Sequence, residues 1–346
     1  MAVTNPNTSL FLFRDNLQPI QCSGYTGGVL VTTNITGEEV SVLLPVDGGS
    51  CEIPLREWAA GVSFPPYSLT GWEITMSSTT RQVKTVWVKI SDPSGALQDV
   101  TYTFRIVPGG IGTSDYSPTV AAWNGTFLTN GPHVRRIFPG SRIYLSCLSP
   151  EIETVHVRAY YKPATAPYNY VSTGISIGQS MTPSESVICI TAESMLSMLG
   201  ANRTLLYCNI YSDNQVLTYR IDKLKTGVRE FIFRNTIGGI DCIFATGDIK
   251  DVPEFEAETY IAGRIETELK VSAGRWHEVN TGRCDNELLR RQWMEFFESP
   301  ERYVLDDDGV IRRIVVSGIN CEQELRTFAS ATFKYKHADK HAAWGV

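Results

Sequence analysis

The sequence has no closely spaced cysteines of the kind that form a C-x-x-C redox or metal motif. Its eight cysteines, Cys22, Cys51, Cys147, Cys189, Cys208, Cys242, Cys284 and Cys321, are scattered singly with no C-x-x-C pair. Most lie inside apolar runs such as SVICIT and LLYCNIY, so they read as buried free thiols. Histidine is also scarce: His133, His156, His277, His337 and His341 are the complete set. Of these, only HADKH, His337 to His341, has a chelating spacing, and then only on a helix. No Glu follows its first His, so the zinc-protease pattern is missing and an exposed polar tail is expected. Positive charge is in deficit, with a formal net charge of −6 and no basic stripe. That argues against nucleic acid as the main ligand, because phosphate binding rests on clustered Lys and Arg. No apolar run reaches membrane-spanning length, and MAVTNPNTSLFLFRDN has no basic residue ahead of its short LFLF run. No membrane insertion and synthesis in the cytoplasm are therefore expected.

What the sequence has in quantity is strand. The runs GVLVTTN, EVSVLLP, VKTVWVKIS, DVTYTFRIV, RIYLSC, TVHVRAYY and VLTYRI alternate or are β-branched, and each is bounded by Gly, Pro, Asn, Asp or Ser. This is the pattern of half-buried antiparallel strands joined by turns, and it predicts a mainly β protein of tandem antiparallel sandwich-like domains. With 346 residues and 42% hydrophobic content, the chain can bury more than one core. Two joints punctuate it: VPGGIGTSDYSP, Val107 to Pro118, and KLKTGVRE around Gly227. The expected units are residues 1–108, a β-sandwich-like domain; 114–224, a second; and 225–346, an α+β domain built for assembly.

One long helix stands out in DNELLRRQWMEFFESP. Leu289, Trp293, Phe296 and Phe297 share a face, Asp285 is positioned to cap the start, and Ser299-Pro300 stops it. The expectation is that Leu289, Trp293 and Phe297 pack on the sheet carrying Phe231 and Phe233. LREWAAG and AESMLSMLG read as helices of a turn or two. RYVLDDDGVIRRIVVSG reads as a hairpin through Asp308-Gly309.

Each candidate for chemistry has a plainer explanation. Gly238-Gly239 lies between FIF and IDCIFA. A phosphate loop or dinucleotide site would need a following helix, whereas a second strand follows here, so the glycines read as a hairpin turn. Cys242 then sits mid-strand, with no nearby His or Lys in the sequence to activate it. Asp306, Asp307, Asp308 and Gly309 lack the alternating spacing and distal Glu of a calcium loop. Glu254, Glu256 and Glu258, followed by Glu266 and Glu268, alternate with apolar residues as a solvent-facing row does, rather than forming an acid and base pair. No G-x-S-x-G elbow occurs. The tyrosines of PYNYVSTG and FPPYSLTGW suit local packing better than a glycan platform. The residues thus predict no catalytic, cofactor-binding or metal-binding site.

The C-terminal third resembles a known arrangement. FIFRNTIGGIDCIFATGD, a long strand with ETELKVSAGRWHEVNTG, the helix ELLRRQWMEFFESPERYVL, IRRIVVSGIN and FASATFKYKHADKH follow the order seen in structural proteins of phages and prophages of Bacteroidales bacteria. The match runs from about Leu205 to His337, with looser echoes in EIPLREWA and FRIVPGG. This resemblance implies a virion component of the tail, baseplate or neck, made in the host bacterial cytoplasm. It also implies contacts with other virion proteins and a homo-oligomeric ring or symmetric assembly. The strands near Phe255 to Val271 and the LFLF segment are the expected contact surfaces. A carbohydrate-binding or adhesin-like module, or a tail-associated glycan hydrolase, are the alternatives.

Overall fold

The computed structural model describes residues 2–7, 12–25, 27–62, 64, 77–94, 98–110, 125–149, 152, 154–162, 169–176, 184–200, 203–222, 227–262, 265–284, 286–321 and 330–338, the side chains of 77–82, 149, 176, 184 and 253–274 excepted. Asp285, His341, Gly112 to Pro118, Lys223 to Thr226 and Leu10-Phe11 therefore lie outside the described residues. The architecture is mainly β, with several sheets and few helices.

Two N-terminal sheets enclose one core. The smaller has the order β1 (Ala2–Thr4), β3 (Ile20–Ser23) and β6 (Ser50–Ile53). The larger has the order β2 (Leu12–Phe13), β9 (Val100–Val107), β8 (Lys84–Ser91), β4 (Val29–Thr33) and β5 (Val40–Leu44). Alternation places Val86, Val88 and Ile90 of β8 inward, against Val29 and Val31 of β4 and Ile20 and Ile53 of the smaller sheet. The short helix α1 (Leu55–Ala59) closes this core with Leu55 and Ala59. One pairing departs from the antiparallel expectation, since β2 runs parallel to β9.

The middle of the chain forms two further sheets. One has the order β10 (Val134–Ile137), β16 (Val216–Ile221), β15 (Thr204–Tyr211), β12 (Thr154–Lys162) and β13 (Asn169–Ser176). The other has the order β11 (Arg142–Ser149), β14 (Ser184–Thr191) and β7 (Ser77–Gln82). A core between them holds Ile143, Leu145, Ile188, Ile190, Val155, Val157, Ile210 and Leu217. The helix α2 (Ala192–Ser197) opens with a capping box, Thr191 against Ser194, and drops Met195 into that core. Two features are invisible to local pattern. The pair β10 and β16 is parallel. Strand β7, from the segment assigned to the first unit, pairs with β14, so sheet pairing crosses the expected boundary.

The C-terminal sheet has seven strands, in the order β18 (Ile240–Ala245), β17 (Arg229–Arg234), β21 (Arg302–Leu305), β22 (Ile311–Cys321), β23 (Ala331–His337), β20 (Ile265–Asn280) and β19 (Ile249–Ala262). On one face lies α3 (Glu287–Glu298), whose Trp293 and Phe296 are buried, while Leu289 and Phe297 are partly so. Phe231 is the hub of this packing, with ring centroids 5.2 Å from Phe296, 5.4 Å from Phe333 and 6.2 Å from Trp293. The helix is capped by Asn286, whose side chain accepts from the Leu289 N–H at 2.8 Å, and not by Asp285. On the other face Ile232, Ile240, Tyr303 and Ile311 meet Tyr144, Val187 and Cys189 of the β11 and β14 sheet. The body is therefore layered as sheet, sheet, sheet and helix. Strands β11, β14 and β17 are covered on both sides, which explains why Ser186 to Ile190 and Phe231 to Phe233 show no polar alternation.

The start of the expected joint is held in place. Gly110 N–H donates to the Thr236 carbonyl at 2.8 Å, and Asp15 N–H donates to the Gly109 carbonyl at 3.1 Å. Gly109 and Gly238 both have positive φ, and a Cβ on either would run into the other segment's backbone. Phe13, Val107, Leu128, Leu148 and Ile237 form a small core there, drawn from all three expected units.

Candidate functional site

Gly238-Gly239 is a turn. Arg234 pairs with Ile240, the Asn235 N–H donates to the Gly239 carbonyl, and the Gly239 N–H donates to the Asn235 side chain. The turn's inner surface is filled by protein, because Asn235 also donates to the Leu128 carbonyl at 2.7 Å. Cys242 is 3% exposed, and burial pushes its thiol well above the usual range, the reverse of what a nucleophile needs.

The acidic turn is likewise occupied by its own chain. Gly309 takes positive φ, and the Gly309 N–H donates to the Asp306 carbonyl. Arg312 donates to both oxygens of Asp308, at 2.9 and 2.6 Å, and to Asp306 at 2.6 Å. Those hydrogen bonds hold the Asp308 carboxyl down at about 2. His337 joins the same cluster through Nε2, 2.9 Å from Asp306, and sits at the end of strand β23, not on a helix. His277 is bound to Asp251 at 2.7 Å and stacks on Tyr335, while His133 and His156 are far apart in sequence and exposed. No group of three metal-ligating side chains occurs among the described residues.

The glutamates of β19 and β20 fall in two places along one hairpin. Glu254, Glu256 and Glu258 lie opposite Gly274, Ser272 and Lys270, whereas Glu266 and Glu268 lie opposite Ile261 and Thr259. Their side chains are outside the described residues. This hairpin is the most distinctive element of the chain. Strand β23 pairs with β20 only from His277 to Asn280. From Val252 to Ala262, and from Ile265 to Trp276, no third strand pairs with either partner among the described residues. The result is a two-stranded arm about 35 Å long, at ~3.3 Å per residue. Its base is fastened by Lys336 over the Trp276 ring at 4.6 Å and by Arg275 bound to Asp251 at 3.1 Å.

Two features escaped the sequence reading. The first is a buried ion pair. Arg135 Nη1 donates to Asp241 Oδ1 at 2.6 Å, Thr129 donates to the other carboxylate oxygen, and both charged side chains are buried. Burial alone would weaken the Arg135 charge, but Asp241 overrides it and raises its affinity for the proton. Beside the pair opens a cavity of about 480 Å³ between β10, β16, β18 and α3, with Phe138, Phe244, Leu289 and Trp293 as apolar walls and Arg136 and Arg283 at its exposed rim. The Tyr219 hydroxyl lies on its wall, where burial pushes it up and the neighbouring Arg135 guanidinium opposes that rise. The only advance signal was Asp241 itself, a charge inside the apolar run IDCIFA.

The second is a tyrosine face on the outer side of β12, β13 and β15. Tyr160 and Tyr207 stack with centroids 4.6 Å apart, Tyr170 lies 5.5 Å from Tyr160, and Arg158 sits over the rings of Tyr170 and Tyr211. The Tyr160 and Tyr211 hydroxyls are 3.1 Å apart, and Asn209 donates to Tyr211 at 3.0 Å. The stacked rings cover each other's faces, so the surface presents ring edges, hydroxyls and one guanidinium. No helix among the described residues is long and apolar enough to cross a membrane. No protein-family model and no curated protein matches the chain.

Proposed function

We propose that the chain is a structural component of a bacteriophage virion, of the tail, baseplate or neck. In this reading it acts through protein–protein assembly as a homo-oligomer with other virion proteins and has no catalytic activity of its own. It is made in the host bacterial cytoplasm and ends in the particle. The observation that supports this reading is the β19–β20 arm. A two-stranded ribbon is marginally stable in water and leaves open edges on both strands, so an arm this long gains its third partner from another chain. The C-terminal order of strand pair, long hairpin, helix and closing strand supports it as well. The test is mass spectrometry of purified particles from a strain carrying the gene. The chain should be present at a stoichiometry matching a ring or symmetric assembly, and its absence from the particle would end this reading.

The tyrosine face favours a second reading, a carbohydrate-binding or adhesin-like module. Tyr170, half exposed beside Arg158, Asn209 and the paired hydroxyls, offers both an apolar edge and hydrogen-bonding groups. Glycan-array binding lost in Tyr170→Ala and Arg158→Ala would favour this reading over assembly alone.

A further inference from the structure

Strands β3 and β6 bring two of the scattered cysteines together. Cys22 lies directly opposite Cys51 in an antiparallel register, so both side chains point to the same face of the small sheet. Two residues further along, the Gly24 N–H donates to the Gly49 carbonyl at 2.6 Å. That phase makes Cys22 and Cys51 a hydrogen-bonded pair, with Cα atoms about 5.5 Å apart. This separation is the usual one for a disulfide. No other two of the eight cysteines are register partners among the described residues; Cys147 faces Ser186, Cys189 faces Tyr144 and Cys321 faces Ala331. Cys22 is buried in the N-terminal core, and Cys51 packs at the edge of that core, half-buried.

We propose that Cys22 and Cys51 are a disulfide-forming pair, closed by exchange with a low-molecular-weight disulfide such as oxidised glutathione. Cys51, the more accessible of the two, attacks first. As a thiolate it forms a bond to one glutathione sulfur, the glutathione S–S bond breaks, and one glutathione leaves as a thiolate. Cys22 then loses its proton and attacks Cys51 Sγ, and the second glutathione leaves. The two protons end on the two glutathiones: one disulfide is reduced and two protein thiols are oxidised. The surroundings set the order of events. Burial pushes the Cys22 thiol up to about 12, with Cys51 adding to the rise; burial raises the Cys51 thiol too, but a hydrogen bond from Cys22 offsets part of that rise. The resolving step is therefore the slow one, and the closed bond, once formed, is shielded on its Cys22 side. The bond would tie β3 to β6 within the smaller sheet and close the loop that holds β4 and β5 of the larger one.

The experiment equilibrates the reduced, full-length chain with oxidised glutathione, alkylates the remaining thiols after denaturation and maps the peptides by mass. A Cys22–Cys51 linked peptide should dominate, and the oxidised chain should melt about 5 °C or more above the reduced one. In Cys22→Ser, Cys51 should carry a lasting glutathione adduct and the melting shift should vanish. In Cys51→Ala, Cys22 should stay an unmodified thiol. Exposed Cys321 reports that the oxidant is active. Recovery of both Cys22 and Cys51 as alkylated thiols in the wild type, while Cys321 carries glutathione, would overturn the proposal. So would a Cys51 adduct as abundant in the wild type as in Cys22→Ser.

Discussion

Strand β17 and the β19–β20 arm belong to one sheet and have opposite surroundings. Every β17 residue from Glu230 to Phe233 is buried, with α3 on one side and the β11–β14 sheet on the other. The arm, beyond Trp276, has one neighbouring strand and no more among the described residues. The first region supplies its own stability through packing. The second has backbone hydrogen bonds to one partner strand only among the described residues, and in the proposed assembly it would gain from a neighbour what β17 gains from its own chain. In this account the body folds alone and the arm completes itself in an assembly.

The contrast breaks first at the aromatic core. Trp293→Ala removes a buried indole that touches Phe231, Phe296 and Phe333, and unfolding by denaturant should show a loss of about 3–5 kcal/mol. A comparable loss, about 3–5 kcal/mol, is expected when Asp241→Asn leaves Arg135 as an uncompensated buried charge. Neither variant should alter oligomer size under conditions where it remains folded.

Glu230 gives a smaller, pH-dependent test of the same layered core. Burial raises its carboxyl to about 8, although the Arg142 N–H donates to it at 3.0 Å. Because the folded value lies above the ordinary carboxyl value of 4.5, the folded state holds a proton that the unfolded state releases. That contribution is complete below about 4.5 and is lost as the pH rises through about 8. Melting scans from pH 5 to 9 should therefore show stability falling across this window. Glu230→Gln, which keeps an acceptor for Arg142, should flatten the slope and melt above the wild type at pH 8.5. At the low end, Asp308→Asn at the exposed turn should leave the melting temperature unchanged within error, since solvent screens its pairing with Arg312.

Local elements were legible in the sequence. The helix face of Trp293 and Phe296, the turns at Gly238-Gly239 and Asp308-Gly309, and the two short helices follow from spacing and turn chemistry, which act over a few residues. Pairings between distant segments were not. Nothing in Ser77 to Gln82 specifies β14 as its partner, and the parallel pairs β2–β9 and β10–β16 have the same period as antiparallel ones. The Arg135–Asp241 pair and the Cys22–Cys51 register depend on those long-range pairings, so single residues in strands concealed them. The uninterrupted apolar runs around Phe231 and Ile188 did carry a readable signal, burial on both faces, which a sandwich expectation of one wet face obscures.

The most direct test shortens the arm, joining Val252 to Trp276 through an Asn-Gly turn that suits a two-residue hairpin, and compares molar mass by light scattering with the melting temperature. The account predicts that the full chain is oligomeric, that the shortened chain is a monomer, and that both bodies melt within a few degrees of each other. A shortened chain that keeps the parent's oligomeric mass, or that loses stability on the scale of Trp293→Ala, would contradict it.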